Sequence, residues 1–178
     1  MSNSFLKFTL EQIRHNGAYM SWLEERRLEW SPLIASKLSL LLQGYTFILI
    51  TDEQRIWFEE YFLSQINAKN TRPYVPFVSL KGIYNQTCKN YEDIALLNDL
   101  LSISFPNGYV YFYIGKNLDF KSQIAKSKED SLLWLFDEQL QNSFYLSSND
   151  KDLDFKLISL YKIFDQSIDA AIFSKVEI

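Results

Sequence analysis

The residues best equipped for chemistry in this chain follow two apolar runs. Asp52 and Glu53 come directly after Tyr45-Thr46-Phe47-Ile48-Leu49-Ile50-Thr51, and Gly115, Lys116 and Asn117 come after Tyr109-Val110-Tyr111-Phe112-Tyr113-Ile114. Adjacent carboxylates can do general acid-base work when one has a raised pKa, and a glycine with a lysine after a strand is the beginning of an anion cradle. Neither pattern is complete. Asp52 and Glu53 have no partner acid or base close by in sequence, and their simpler role is to cap the helix that follows and favour its positive end. Gly115-Lys116 lacks the glycine spacing of a phosphate loop, so Lys116, Lys121, Lys126 and Lys128 read as a solvated face suited to an acidic partner.

The rest of the chemical inventory is short. One histidine, His15, and one cysteine, Cys88, rule out a multi-ligand His/Cys metal site and a disulfide framework within one chain. His15 sits beside Arg14 and Asn16 in an amphipathic helical stretch, which suits an exposed or interface residue better than a catalytic triad. Cys88 lies in a polar loop beside Lys89, a neighbour expected to lower its pKa slightly. There is no GxGxxG, no GxxxxGK[ST] and no calcium-loop spacing. The expectation is a protein with no catalytic residues, no metal and no cofactor. A net charge of −4 repels phosphate backbones, so no direct nucleic-acid binding is expected. No run reaches the roughly 18 apolar residues of a membrane span, and Met1-Ser2-Asn3-Ser4 is not a basic leader. A soluble cytoplasmic protein with no membrane association follows as the expectation.

The elements that position these residues read as an α/β fold. With 178 residues, 47% of them hydrophobic, the chain can bury one core, so residues 1–178 form a single domain. The run at 45–51 is continuously apolar rather than alternating, the pattern of a parallel strand covered on both faces. Further strands are expected around Tyr74–Leu80 at an edge, with Pro73 and Pro76, and at Tyr109–Ile114, Leu132–Phe136 and Ser143–Leu146. About six residues separate the last two, fewer than a parallel crossover normally needs, so the direction of the fifth strand stays open.

Between the strands, helical periodicity predicts one long N-terminal helix over 4–29, roughly 35–40 Å long, with Leu6, Leu10, Ile13, Gly17 and Met20 as its stripe. Phe5, Tyr19, Trp22 and Leu23 fall mostly outside that stripe, and one core cannot cover both sides, so they are candidate oligomer contacts. Ser31-Pro32 restarts a second helix that Gly44 ends. A third helix runs from the Asp52 cap to Ala68 with Ile56, Trp57, Phe62, Leu63 and Ile66 inward, and a fourth runs from Glu92 to Phe105 on an Ile94, Leu97, Leu101 stripe. Asp152 caps a last helix with Leu153, Leu157, Leu160, Phe164, Ile168 and Ala171 inward; Phe155, Ile163 and Phe173 fall off its stripe, as subunit contacts or peripheral packing.

Four blocks carry a resemblance: Met20-Ser21-Trp22-Leu23-Glu24-Glu25-Arg26-Arg27-Leu28-Glu29-Trp30, Leu40-Leu41-Leu42-Gln43-Gly44, Phe105-Pro106-Asn107-Gly108-Tyr109 and Phe136-Asp137-Glu138-Gln139-Leu140-Gln141-Asn142-Ser143. Together they closely resemble the HobA family of initiator-associating proteins, over nearly the whole chain. That family is related to the sugar isomerase fold and to DiaA. The resemblance implies a three-layer sandwich with a mainly parallel five-stranded sheet, of sugar-isomerase-like (flavodoxin-like) architecture. It further implies a homotetramer built as a dimer of dimers, and binding to the N-terminal domain of the replication initiator DnaA. Such a scaffold promotes ordered initiator assembly at the origin by multivalency, without catalysis.

The alternative is a sugar-phosphate isomerase or phosphosugar-binding protein. Sugar isomerases carry Ser/Thr- and Gly-rich loops after their strands, whereas here a phosphosugar would meet Asp52 and Glu53. Unit charges 4 Å apart repel by about 4 kcal/mol at an effective dielectric of 20. No motif transfers the partner site. Because binding hot spots favour aromatic and arginine groups, the candidates are Arg26, Arg27 and Trp30, with Ile172 and Phe173 near the chain end; each group could equally be packing or tetramer contact.

Overall fold

In the computed structural model the described residues are 4–178, so the expectation drawn from Met1-Ser2-Asn3 lies outside them. The central strand β1 (Thr46–Thr51) is buried at every position. It pairs in parallel with β2 (Phe77–Ser79) on one side and β3 (Tyr109–Lys116) on the other, with Thr46 opposite Tyr109. β4 (Leu132–Phe136) and β5 (Ser143–Leu146) continue the sheet, whose order is β2-β1-β3-β4-β5. All five strands are parallel, in the 2-1-3-4-5 order of flavodoxin-like doubly wound sheets.

Period-two alternation distributes the strand side chains between two cores. Phe47, Leu49, Val110, Phe112, Ile114, Trp134 and Phe136 face one layer, made of α1 (Phe5–Asn16), α2 (Ser21–Leu42), α3 (Ile56–Ile66) and α7 (Leu153–Ile172). Ile48, Ile50, Tyr111, Tyr113, Leu133 and Leu135 face the other, where α5 (Tyr91–Ser104) and α6 (Phe120–Lys126) supply Ile94, Leu97, Leu101 and Ile124. A single turn, α4 (Leu80–Ile83), follows β2. Among the described residues, no helix is long and apolar enough to cross a membrane.

The direction of β5, left open by sequence, is parallel. No crossover helix is required because β5 is four residues long, and the chain needs to return only about three residues' length, roughly 10 Å. Left-handed backbone at Asp137 (φ 65) and Asn142 (φ 61) turns the loop at both ends. Asp137 holds it shut: its N–H donates to Leu146 O at 2.9 Å, and its carboxylate accepts from the Ser148 N–H at 2.8 Å and from the Ser148 hydroxyl.

The N-terminal helix differs from expectation. It breaks at Gly17, whose φ of 96 is a backbone conformation that side chains disfavour, and a short 3-10 turn over Ala18–Met20 leads into α2. α1 and α2 therefore form a hairpin, pinned by the Arg14–Glu24 ion pair at 2.6 Å. Conversely, α2 runs straight through Ser31-Pro32. Pro32 and Leu28 are both exposed, so water is available to the Leu28 carbonyl that proline cannot serve. Folding the stretch back on itself corrects two proposed oligomer contacts: Phe5 and Leu23 are 5% and 0% exposed inside their own subunit.

Smaller departures have the same origin in local packing. Asp52 and Asp152 make no side-chain capping bond; the caps are Asn90, accepting from the Asp93 N–H, and Asp119, accepting from the Lys121 N–H. Trp57 is exposed and Phe58 takes its inward place, while Ile163 is fully buried alongside the expected α7 stripe.

An ion network ties the loop after α3 to α7. Arg72, its side chain 1% exposed, pairs with Asp165 and Asp169 at 2.6 Å each, and it donates to Ile66 O at 2.6 Å. Lys69 joins from the solvent side. Replacing Arg72 leaves the buried Asp165 carboxylate with only the half-exposed Lys69 as a partner, so Arg72→Met is expected to cost about 3 kcal/mol in urea unfolding, against less than about 1 kcal/mol for Lys69→Ala. Equal, small losses in both variants would contradict this account.

Candidate functional site

In an open parallel sheet, ligands bind beyond the carboxyl ends of the strands, where the strand order reverses. Here that point lies between β1 and β3. The Asp52 side chain fills it. Asp52 is 5% exposed, its Oδ2 accepts the Lys116 N–H at 3.0 Å, and Arg55 Nη1 lies 3.2 Å away. The Arg55 guanidinium in turn stacks 4.3 Å from the centre of the Phe136 ring. A Cβ at position 115 would stand 2.8 Å from Asp52 Oδ2 and 2.7 Å from the Tyr113 hydroxyl oxygen, so glycine is what admits the carboxylate. The Gly115-Lys116 segment thus receives an internal anion, its own Asp52.

Beside this plug a groove of 1080 Å³ opens between α3, α4, the 84–89 loop and the start of α6. Glu59 lines it, and its carboxylate accepts from the hydroxyls of Thr51, at 2.9 Å, and Ser79. Lys121 pairs with Glu53 at 2.6 Å and donates to Thr51 O at 3.1 Å, so that lysine is engaged within the chain. The hydrogen bond from Lys121, with its charge, holds the Glu53 carboxyl below its ordinary pKa. Cys88 also lines the groove, but burial pushes its thiol up, against the opposing Tyr84 hydrogen bond; the expected lowering by Lys89 is corrected. A raised thiol pKa disfavours the thiolate a nucleophile needs. Among the described residues no group of three or more His, Cys, Asp or Glu is placed to hold a metal ion. His15 lies exposed on α1, away from Cys88 on the other layer.

The surface candidates do not converge. Trp30 is fully buried, packed edge-on against Phe144 at 5.2 Å, which corrects its assignment as a surface anchor. Arg26 donates to Tyr145 O at 2.7 Å, pairs with Glu29 at 2.8 Å and lies 4.0 Å over the Phe144 ring; Arg27 bonds to Glu24 O. Both are half-buried. Trp22, four residues before Arg26, sits under Lys156 near the start of α7. Ile172 and Phe173 lie at its far end, roughly 25 Å further along at 1.5 Å per residue. Ile172 is half-buried against the core, and Phe173 is 47% exposed with Lys175 over its ring. Tyr19 and Trp22 each meet a lysine of α7: Lys162 donates to the Tyr19 hydroxyl at 3.0 Å, and Lys156 lies 5.0 Å from the centre of the Trp22 ring.

Sequence reasoning missed Arg55 and Glu59. The first had a signal, a cation three residues after Asp52 on the same helical turn; the second had none, because Thr51 and Ser79 meet it only through the sheet. Because the Asp52 carboxylate takes this space, Gly115→Ala is expected to lower the unfolding free energy by roughly 1–3 kcal/mol. Combining it with Asp52→Ala gives a loss smaller than the sum of the two. Strict additivity in thermal or urea unfolding would refute the close approach.

Comparison with known proteins agrees with the resemblance. The sequence matches, over residues 1–178, the family described as "HobA: DNA replication regulator". The DNA replication regulator protein HobA of Helicobacter pylori is 29% identical over 179 residues, covering 97% of this chain and 98% of that protein. The crystal structure of H. pylori HobA superposes with a TM-score of 0.79 at 26% identity, covering 100% of both chains. A HobA chain in a crystal structure of an H. pylori HobA–DnaA (domain I-II) complex superposes with a TM-score of 0.76 at 29% identity, covering 98% of this chain and 99% of that one. With its full length matched, this chain belongs to the HobA family of DNA replication regulators.

Proposed function

We propose that this chain is a non-catalytic scaffold that binds the N-terminal region of the initiator DnaA and gathers several initiators for ordered assembly at the origin. The observation that carries the reading is the superposition, over 98% of the chain, on a HobA molecule crystallised with DnaA (domain I-II). Two features support the absence of catalysis. The strand-end crevice is occupied by Asp52, and the adjoining groove offers Glu59 rather than an activated nucleophile. The same carboxylates disfavour the phosphosugar alternative, although the 2-1-3-4-5 parallel sheet supports a sugar-isomerase-like architecture.

The scaffold works as a homotetramer, a dimer of dimers. Tyr19 and Trp22, with the exposed Phe155 and Ile158 of α7, supply one of the two contacts that a dimer of dimers requires. The initiator contact is Phe173 with Ile172; Arg26 and Arg27 spend their donors inside the chain and play a supporting part at the start of α2. Four linked sites replace independent encounters by intramolecular ones, which raises the effective initiator concentration without a chemical step.

Light scattering on a sizing column tests this reading, with the protein alone and mixed with the N-terminal domain of its own host's DnaA. The expected mass is about four times the 21.0 kDa chain, increasing when the domain is added. Phe173→Ala should weaken the complex about tenfold or more and leave the mass of the protein alone unchanged. A monomer, or a tetramer that gains nothing at micromolar domain, would refute the scaffold.

A further inference from the structure

Helix α5 is apolar on two opposite sides. Ile94, Leu97 and Leu101 are buried against the sheet, and Asn98 beside them accepts from the Tyr109 and Tyr111 hydroxyls at 3.0 and 2.7 Å. At roughly 100° per residue the side facing away from the sheet carries Glu92, Leu96, Asp99, Leu100 and Ile103. Leu96, Leu100 and Ile103 are 55%, 46% and 80% exposed, and Tyr91 at the helix start is 73% exposed. Scattered exposed apolar side chains need no explanation, but three at helical spacing on one face make a continuous strip. The charges on α5 itself have a single sign, although Lys128 beside it lies over the ring of Tyr109, whose hydroxyl donates to Asn98. α5 contains Glu92, Asp93 and Asp99 and no lysine, arginine or histidine, and among the described residues neither Glu92 nor Asp99 is in an ion pair.

We propose that the outer face of α5 is a docking surface for an amphipathic helix of a partner protein, one whose apolar stripe is flanked by lysine or arginine. The leucine and isoleucine strip supplies the anchor positions of helix-on-helix recognition, and the unpaired carboxylates along it set the sign of the flanking charges. Those charges also select against a second copy of this chain. In an antiparallel twofold pairing through Leu96, Leu100 and Ile103, the two Asp99 carboxylates face each other across the axis, with no cation on either helix. α5 belongs to the layer opposite α7, so this surface is separate from Phe173 and stays accessible while the initiator is held there. The inference goes beyond the proposed function: the scaffold presents two docking faces of different chemistry.

The test uses the full chain and two labelled synthetic peptides, a leucine-lysine sequence spaced to form an amphipathic helix and a scrambled sequence of the same composition. Anisotropy titrations are run on the wild type, Ile103→Glu, Asp99→Lys and Phe173→Ala, with light scattering on each. The amphipathic peptide is expected to bind about tenfold or more tightly than the scrambled one. Ile103→Glu and Asp99→Lys should each reduce its affinity about tenfold, while Phe173→Ala leaves it unchanged. Asp99 is a solvent-facing residue, so its variant carries the test should Ile103→Glu fail to fold. Equal binding of both peptides, unchanged affinity in either α5 variant, or a loss in Phe173→Ala would overturn the proposal. A fall in oligomer mass for Ile103→Glu would overturn it as well, by assigning the strip to a contact between copies.

Discussion

Burying the Asp52 carboxylate between the ends of β1 and β3 obliges the protein to neutralise it in place, and the neighbouring sequence is arranged to do so. Arg55 arrives three residues later, Lys116 offers a backbone N–H, and Gly115 leaves the room that any side chain would take. A buried charge without such partners is strongly destabilising. With them, the position where related folds admit an anionic ligand becomes a piece of internal architecture. Arg55 sits in the 3-10 turn that leads into α3, where it both faces Asp52 and stacks on the Phe136 ring.

Much of the fold was legible in the residues. The continuous apolar run at 45–51 marked a doubly covered parallel strand, and the stripes of α5 and α7 were read correctly because each repeats at a steady helical period over several turns. What failed was punctuation. Ser31-Pro32 carries the stronger stop signal on paper, yet the break falls at Gly17, since tertiary contacts can keep a solvated proline inside a helix while a φ of 96 needs glycine. From that one misplacement followed the misassignment of Phe5 and Leu23, which read as a second outward face only while α1 and α2 were a single rod.

The site was harder to read because its parts meet through the sheet rather than along the chain. Asp52 and Gly115 were both singled out, but their contact depends on the β1–β3 register that sets Thr51 opposite Ile114. Trp30 illustrates the opposite error. Aromatic and arginine residues in one block suggest an adhesive surface, whereas here Trp30 fills the core against Trp134 and Phe144 and Arg26 covers the Phe144 ring. Residue type alone does not distinguish a hot spot from the packing beneath it. The outer strip of α5 went unread, although Leu96, Leu100 and Ile103 stand opposite the recognised stripe at the same helical spacing.

We propose that this protein acts through the end of α7 and not through its strand-end groove. Hydrogen exchange of the full chain, with and without the N-terminal domain of its host's DnaA, addresses that directly. The account predicts slowed exchange around Ile172 and Phe173 on addition of the domain, with the 84–89 loop at the groove unchanged. Protection of that loop, with none at the end of α7, would contradict it.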